Sequence, residues 1–157
     1  MEPYRFKVFV DHERRVLTVR VIGLMPSAEF VDRLFEAYGR IDKPWTYNRI
    51  MDFRRFDGQI SEDYIEEMGR RWHAMVPPGT PRSKLAVVSC NPLDRTRTPS
   101  VSPAVPSRAI CHFSDFHSAV RWISSQDQAA PKEENNAWSV TGTRADLHLS
   151  DDVAYVI

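Results

Sequence analysis

The chain is predicted to fold as an α/β domain, a mixed sheet of about five strands with helices packed on it. Three observations predict this. Two alternating, strand-like segments come first, and helical and strand-like segments then take turns as far as Ser124. The short uninterrupted apolar run Leu85-Ala86-Val87-Val88 fits a strand buried on both faces of a parallel sheet.

Tyr4, Phe6, Val8 and Val10 alternate with Arg5, Lys7 and Phe9, the period of two that marks a half-buried strand over Tyr4 to Val10. The polar break Asp11-His12-Glu13-Arg14 is short enough for a hairpin. Val16 to Ile22 is rich in β-branched residues and ends at Gly23, so the first two strands are expected to pair antiparallel. Pro26 and Ser27 open a helix running to Tyr38, with Phe30, Val31, Leu34, Phe35 and Tyr38 on one face. Gly39 and Asp42-Lys43-Pro44 end it. A third strand, Tyr47 to Phe53, leads into a polar loop closing with Asp57-Gly58.

Ser61 starts a second helix, Ser61 to Val76. Its hydroxyl can cap free backbone N–H groups, and Glu62 and Asp63 suit the positive end of the dipole. Tyr64, Ile65, Met68, Trp72, Met75 and Val76 recur at helical spacing until Pro77-Pro78-Gly79 stops the run. The fourth strand is Leu85 to Ser89. Asn91 to Ser107 carries Pro92, Pro99, Pro103 and Pro106, which predicts a loop with at most one helical turn near Leu93 to Arg97. Arg108 to Phe113 reads as the fifth strand. Phe116, Ala119, Val120 and Ile123 form the stripe of a last helix, Asp115 to Ser124.

Residues 1–125 therefore read as one domain, and residues 126–157 as a polar linker (Gln126 to Asn136) with an apolar tail. Leu147, Leu149, Val153, Tyr155, Val156 and Ile157 leave three options for that tail: an edge strand, pairing with a second chain, or no docking. Lys plus Arg and Asp plus Glu both count 21, a balance that argues against a general nucleic-acid binder. No apolar run approaches the ~18 residues of a membrane span. The start, Met1-Glu2-Pro3-Tyr4, enters a strand without a signal peptide's apolar core. Cys90 and Cys111 make no disulfide framework and are read as buried structural thiols of a reduced, cytoplasmic protein.

No metal is expected, because His12, His73, His112, His117 and His148 include no i, i+4 pair and no His-Glu-x-x-His phrase. Cys111 and His112, as strand neighbours, point to opposite faces and make no nucleophile–base pair. Gly-x-Gly-x-x-Gly and Walker phrases are both missing. No nucleophile, base and oxyanion donors can be assembled from neighbouring residues, so neither catalytic residues nor a cofactor is expected. Asp52 and Asp57 flank the exit of the third strand, where α/β sheets place ligands. Asp52 is expected to bond loop amides or to pair with Arg54 or Arg55. Arg54, Arg55, Arg70, Arg71, Arg95, Arg97 and Arg108 offer bidentate forks for an anion if they gather at one end of the sheet. Asp52, Arg54, Asp57 and Arg95 are thus the candidate ligand or anion contacts. The load of aromatic residues and methionines exceeds a small core's need, and its surplus suits an apolar pocket or a subunit interface.

The strand pair, the helix after Gly23, the strand Ile50-Met51-Asp52-Phe53 and the closing block Ile110 to Ile123 carry a resemblance. In that block an edge strand turns into a helix ending in Ala119-Val120-Arg121-Trp122-Ile123, an Ala-hydrophobe-x-Trp-hydrophobe phrase. Over residues 4 to 125 the chain resembles the SpoIIAA-like, or STAS, superfamily, in the branch compared with CRAL-TRIO lipid-exchange folds. The resemblance implies a non-enzymatic switch or interaction domain, in some members with an apolar or nucleotide ligand. It also implies a phosphorylated Ser or Thr at the start of the helix after the third strand, inside an Asp-Ser-Ser-Gly-like phrase. Gln59-Ile60-Ser61-Glu62-Asp63 stands there, and Ser61 is the matching hydroxyl. The preceding Asp and the following Gly are absent, and Glu62 and Asp63 would repel an added phosphate. Ser61 is therefore read as a cap before it is read as a switch. The expected function is a non-catalytic regulatory or protein-interaction domain, working through a protein partner as a homo-oligomer. A carrier or sensor of an apolar small molecule, held between helices and sheet, is the alternative, and an enzyme of unassigned reaction comes third.

Overall fold

The computed structural model describes residues 4–101, 109–125 and 154–156. Strands β1 (Tyr4–Asp11) and β2 (Val16–Gly23) form the expected antiparallel hairpin, with Val8 opposite Val19. Then come α1 (Ser27–Gly39), a 3-10 turn (Pro44–Thr46), β3 (Asn48–Phe56), α2 (Glu62–Met75) and β4 (Lys84–Val88). The order closes with α3 (Pro92–Val101), β5 (Ala109–Phe113), α4 (Phe116–Ser124) and the short β6 (Ala154–Val156).

The sheet runs β5-β4-β3-β2-β1-β6, parallel from β2 to β5 and antiparallel where β1 meets its two neighbours. The apolar run in β4 lies between two parallel strands, as its composition predicts. Each step from β2 to β5 moves one place in the same direction. Right-handed crossovers then put α1, α2 and α3 on one face of the sheet. The helix α4 follows the last of these strands and closes the other face. Two cores result. Phe6, Val8, Leu17, Val19 and Val21 pack beneath α1 and α2, while Ile50, Ala86, Val88 and Phe113 pack against Ala119, Trp122 and Ile123 of α4.

Four expectations need correction. The segment after β4 is a ten-residue helix rather than a loop. Its prolines explain why this is permitted. Pro92 stands at the first helical position, where no backbone donor is required, and Asn91 Oδ1 accepts from the Leu93 amide at 3.0 Å. Pro99 falls in the last turn. Pro103 and Pro106 lie outside the described residues, as does the stretch from Gln126 to Val153.

β3 does not stop at Phe53 but continues to Phe56, with a bulge. Arg20 pairs with Asp52 and Ile22 with Arg55, so β3 carries one extra residue there. The alternation that ends the strand in the sequence is shifted, not lost. Cys90 is exposed, because it follows the end of β4 where the chain turns into α3, whereas Cys111 is buried. Finally, Ser61 stands at the N-cap position of α2, but its side chain makes no capping bond. The α2 start is solvent-exposed, so water can serve its free amides. Of the tail, Ala154–Val156 pairs antiparallel with Lys7, Val8 and Phe9 on the outer edge of β1.

Candidate functional site

Between the α1–α2–α3 layer and the sheet lies a cavity of about 110 Å³. Its walls come from sequence features already in view. Phe30, Leu34 and Tyr38 are the inward stripe of α1, and Ile65, Met68 and Trp72 that of α2. The sheet contributes Met51, Phe53 and Phe56 from β3. The bulge explains this last set: a regular strand would aim Arg55 inward, whereas the extra residue substitutes Phe56. The α2 helix covers the cavity thinly, since only Gly69 and Trp72 of that helix are fully buried. Trp72 also borders a second cavity of about 320 Å³, formed with Trp45 and the turn at 76–83.

One end of the cavity opens at the carboxyl ends of the parallel strands, where Gly58, Gln59 and Ile60 line it with Asp94 and Arg97 of α3. Arg97 Nη2 donates to the Ile60 carbonyl at 2.9 Å, which ties α3 to the loop before α2. Leu24, after β2 and beside Gly58, is 60% exposed, and Tyr64 in the first turn of α2 and Leu93 in that of α3 are 37% and 61% exposed. Gly58 sits tightly against the Phe56 ring: a Cβ there would lie 2.8 Å from ring carbons and 3.4 Å from Leu24 Cδ1. Tyr64, read in the sequence as part of the apolar stripe, is exposed instead.

The other end holds polar groups that the sequence reading did not single out. The Tyr38 side chain is 1% exposed and its hydroxyl makes no hydrogen bond among the described residues. Its ring packs 5.2 Å from Trp72, and the Arg49 guanidinium lies 4.0 Å above the same indole. Arg49 itself is 3% exposed. In the sequence Tyr38 is one aromatic of the α1 stripe, and Arg49 is a residue of the third strand with no role assigned. Only their meeting at Trp72 distinguishes them.

The sequence candidates lie elsewhere, and none of Asp52, Arg54, Asp57 and Arg95 lines this cavity. Asp52 faces the α4 side, inside β3 rather than at its exit. Arg54 donates to it from Nε and Nη2, both at 2.8 Å, and Arg20 from Nε at 2.8 Å. Both guanidiniums also lie over the Phe116 ring at the start of α4. Burial raises the Asp52 pKa, but the bonds and charges of Arg54 and Arg20 outweigh it and hold the carboxyl below its ordinary value. The pairing with Arg54 is as expected, while Arg20 is the partner the sequence hides. Asp57 is exposed beyond β3, its amide donating to the Gly23 carbonyl at 3.0 Å, and Arg95 is exposed on α3. Arg108 lies outside the described residues, and among the described ones the arginines do not gather at one end. Arg71 bridges α2 to Asp32 of α1 at 2.9 Å and to Glu67 at 3.0 Å, far in function from Arg54 on the opposite face.

Ser61 is exposed at the mouth. Its amide donates to Ser27 Oγ at 3.2 Å, and Ser27 donates to the Gln59 carbonyl at 3.1 Å, joining α1 to the α2 start. Cys111 lies in the core against α4, and burial raises its thiol pKa. His112 faces the α3 side, and burial lowers its imidazole pKa. Among the described residues no three His, Cys, Asp or Glu side chains gather as a metal site, and no helix is long and apolar enough to cross a membrane.

No family model matches the chain, and no curated protein does. Among solved structures, the chain is similar to an uncharacterized protein of the DUF3478 family from Shewanella loihica PV-4, described as having a SpoIIAA-like fold. The identity is 15%, the match covers 78% of this chain and 95% of that one, and the TM-score is 0.51. The chain has a SpoIIAA-like fold. At this identity the likeness speaks for architecture alone. The SpoIIAA-like frame accounts for the hairpin, the parallel strands and the closing α4, and leaves the cavity contents to this chain's own residues.

Proposed function

We propose that this SpoIIAA-like domain is a non-catalytic binding module that takes an apolar small molecule between its helical layer and its sheet. The observation that carries this reading is the cavity itself, walled by Phe30, Leu34, Met51, Phe53 and Met68 beneath a half-exposed α2. An apolar void this close to solvent loses packing contacts unless something fills it. Filling it would stabilise the folded state in proportion to occupancy and so report the ligand's presence to whatever contacts α2. Supporting the absence of chemistry, Cys111 and His112 lie on opposite sides of the sheet and Asp52 is held by two arginines. The test is native mass spectrometry of the protein taken from cells, with thermal melting in hexan-1-ol and toluene. A bound mass or a raised midpoint is expected. No adduct and no shift with any apolar compound would reject the reading.

The exposed Leu24, Tyr64 and Leu93 favour a second reading, a protein-interaction domain that presents these side chains to a partner protein or to another copy of itself. The two free thiols suit a reducing, cytoplasmic setting. Light scattering across a concentration series checks self-association, and Leu24→Ser with Leu93→Ser is expected to weaken it. An unchanged mass for parent and variant at every concentration would reject the homo-oligomer.

A further inference from the structure

We infer that the outer edge of β1 is a docking site for β1 of a second copy of the chain, the two strands running antiparallel about a two-fold axis beside Val8. This goes beyond the cavity reading and does not depend on it, and it uses a different surface from the exposed leucines. Among the described residues only β6 lies along this edge, with Val156, Tyr155 and Ala154 opposite Lys7, Val8 and Phe9. The edge therefore accepts an antiparallel strand. On either side of that short pairing, Tyr4, Arg5 and Phe6 and then Val10 and Asp11 have no strand opposite them there among the described residues. The backbone donors and acceptors of such an edge are a template for a longer partner.

Symmetry and charge select the register. In a two-fold pair, any residue that faces a second one is faced by it in turn, and directly opposed residues share a face of the sheet. Faces alternate along a strand, so the axis must pass beside a residue and not between two. Centred on Phe6, the pair sets Arg5 opposite Lys7; centred on Lys7, it sets that lysine opposite itself. Both place like charges together. Centred on Val8, it sets Arg5 opposite Asp11, Lys7 opposite Phe9 and Phe6 opposite Val10, and the Arg5–Asp11 pair occurs twice. Centred on Phe9, it leaves Arg5 beyond the end of the paired stretch. Val8 thus gives the longest register with opposite charges matched. Arg5 is exposed. Asp11 Oδ1 accepts from the Arg14 amide at 2.9 Å, but its Oδ2 stands 4.0 Å from Arg14 Nε and has room for a guanidinium. Phe6, Val8 and Val10 belong to the core beneath α1, so opposed to their copies they continue one apolar face across the dimer. β6 and a second β1 claim the same backbone at Lys7 to Phe9. The two pairings exclude each other, and β6 is the contact that keeps the chain single.

The experiment is sedimentation velocity over a concentration series on the full chain and on Ala154→Pro with Tyr155→Pro. Successive amides of a strand point to opposite sides, so the two prolines remove whichever one faces β1. The released chain is expected to reach twice the parent's mass and to stop there, because a two-fold contact closes on itself. On that background Arg5→Asp should weaken the dimer at least ~10-fold, Arg5→Lys should keep it, and Arg5→Asp with Asp11→Arg should restore it. Circular dichroism checks that each variant folds. If the double swap does not fold, the contrast between Arg5→Asp and Arg5→Lys decides. A released chain with the parent's mass at every concentration overturns the docking site. A dimer indifferent to Arg5→Asp, a folded double swap that stays single, or growth beyond two copies overturns the register and the inference with it. None of these outcomes touches the cavity reading, which the apolar compounds test separately.

Discussion

At Asp52 burial and charge act in opposite directions, and the sign of their sum can be measured. The carboxyl is held below its ordinary value by Arg54 and Arg20 despite burial. A group depressed in the folded state contributes stability that is full above its unfolded pKa and is lost as pH falls through the folded one. The Asp52 contribution should therefore be complete at neutral pH and begin to fall near the ordinary pKa of an aspartate, about 3.9. Asp52→Asn is expected to lose about 2 to 3 kcal/mol at neutral pH, from charge-assisted bonds to two partly exposed arginines. The variant's stability should also fall less steeply on acidification, measured by urea unfolding from about pH 7 to about pH 3. An acid limb as steep as the parent's would assign it to other carboxyls. Two helix starts offer a second residue-level comparison. Asp115 Oδ1 accepts from the Ser118 amide at 2.9 Å and Ser118 Oγ returns a bond at 2.7 Å, whereas the Ser61 hydroxyl caps nothing. Asp115→Ala should cost about 0.5 to 2 kcal/mol and Ser61→Ala no more than about 0.5 kcal/mol, read from chemical denaturation. A loss of more than about 1 kcal/mol on Ser61→Ala would restore the cap. Residue type announces a polar helix start, but whether the side chain or water serves the amides depends on exposure that the sequence does not carry.

At the level of elements, what was legible followed periodicity and what was missed broke it. The hairpin, α1, α2, β4 and α4 each repeat an apolar spacing, and each stands within a few residues of its expected bounds. β3 outran its expected end because the bulge moves Phe56 onto the face that alternation assigns to Arg55. The same irregularity supplies an aromatic wall to the cavity, so the feature hardest to read is one that shapes the site. α3 was hidden by proline density, yet Pro92 and Pro99 occupy its first and last turns. The strand start was hidden too: Lys84 reads as a polar boundary, but it is 4% exposed, and its Nζ donates to the Trp122 and Ser125 carbonyls at 2.9 and 2.6 Å. That places a cation on the negative end of α4 and joins the helix to β4. Trp72 of α2 touches Tyr38 and Arg49 and borders both cavities. Trp72→Ala is expected to cost about 3 to 5 kcal/mol in urea unfolding, because two existing voids limit how far the site can collapse. A midpoint equal to the parent's would remove Trp72 from the core.

For the whole molecule, the order of elements was the strongest signal in the chain, because the crossover rule converts it into layers. Three consecutive parallel steps in one direction place three helices on one face, and that face holds the cavity. What the order could not supply was the meeting of Tyr38, Arg49 and Trp72, which come from α1, β3 and α2 and converge only in the packed domain. The tail stood open in the sequence among three options. In the structure, Ala154, Tyr155 and Val156 lie along Phe9, Val8 and Lys7, on the edge that β1 would otherwise leave without a described neighbour. An unpaired edge offers backbone donors and acceptors to any other strand, another molecule's β1 included. A chain ending at Ser125 is therefore expected to keep the SpoIIAA-like frame, since among the described residues both cores draw on positions before that point. It should melt a few degrees lower, about 4 °C for each ~1 kcal/mol of lost edge pairing. It should also show a larger mass than the full chain at equal concentration, because the freed β1 edges can pair between molecules. Static light scattering and a melting curve on the two chains measure both effects. A truncated chain with the parent's mass and the parent's midpoint would mean that the Ala154–Val156 pairing protects nothing, and that β1 is guarded by its own lysine and arginine side chains instead.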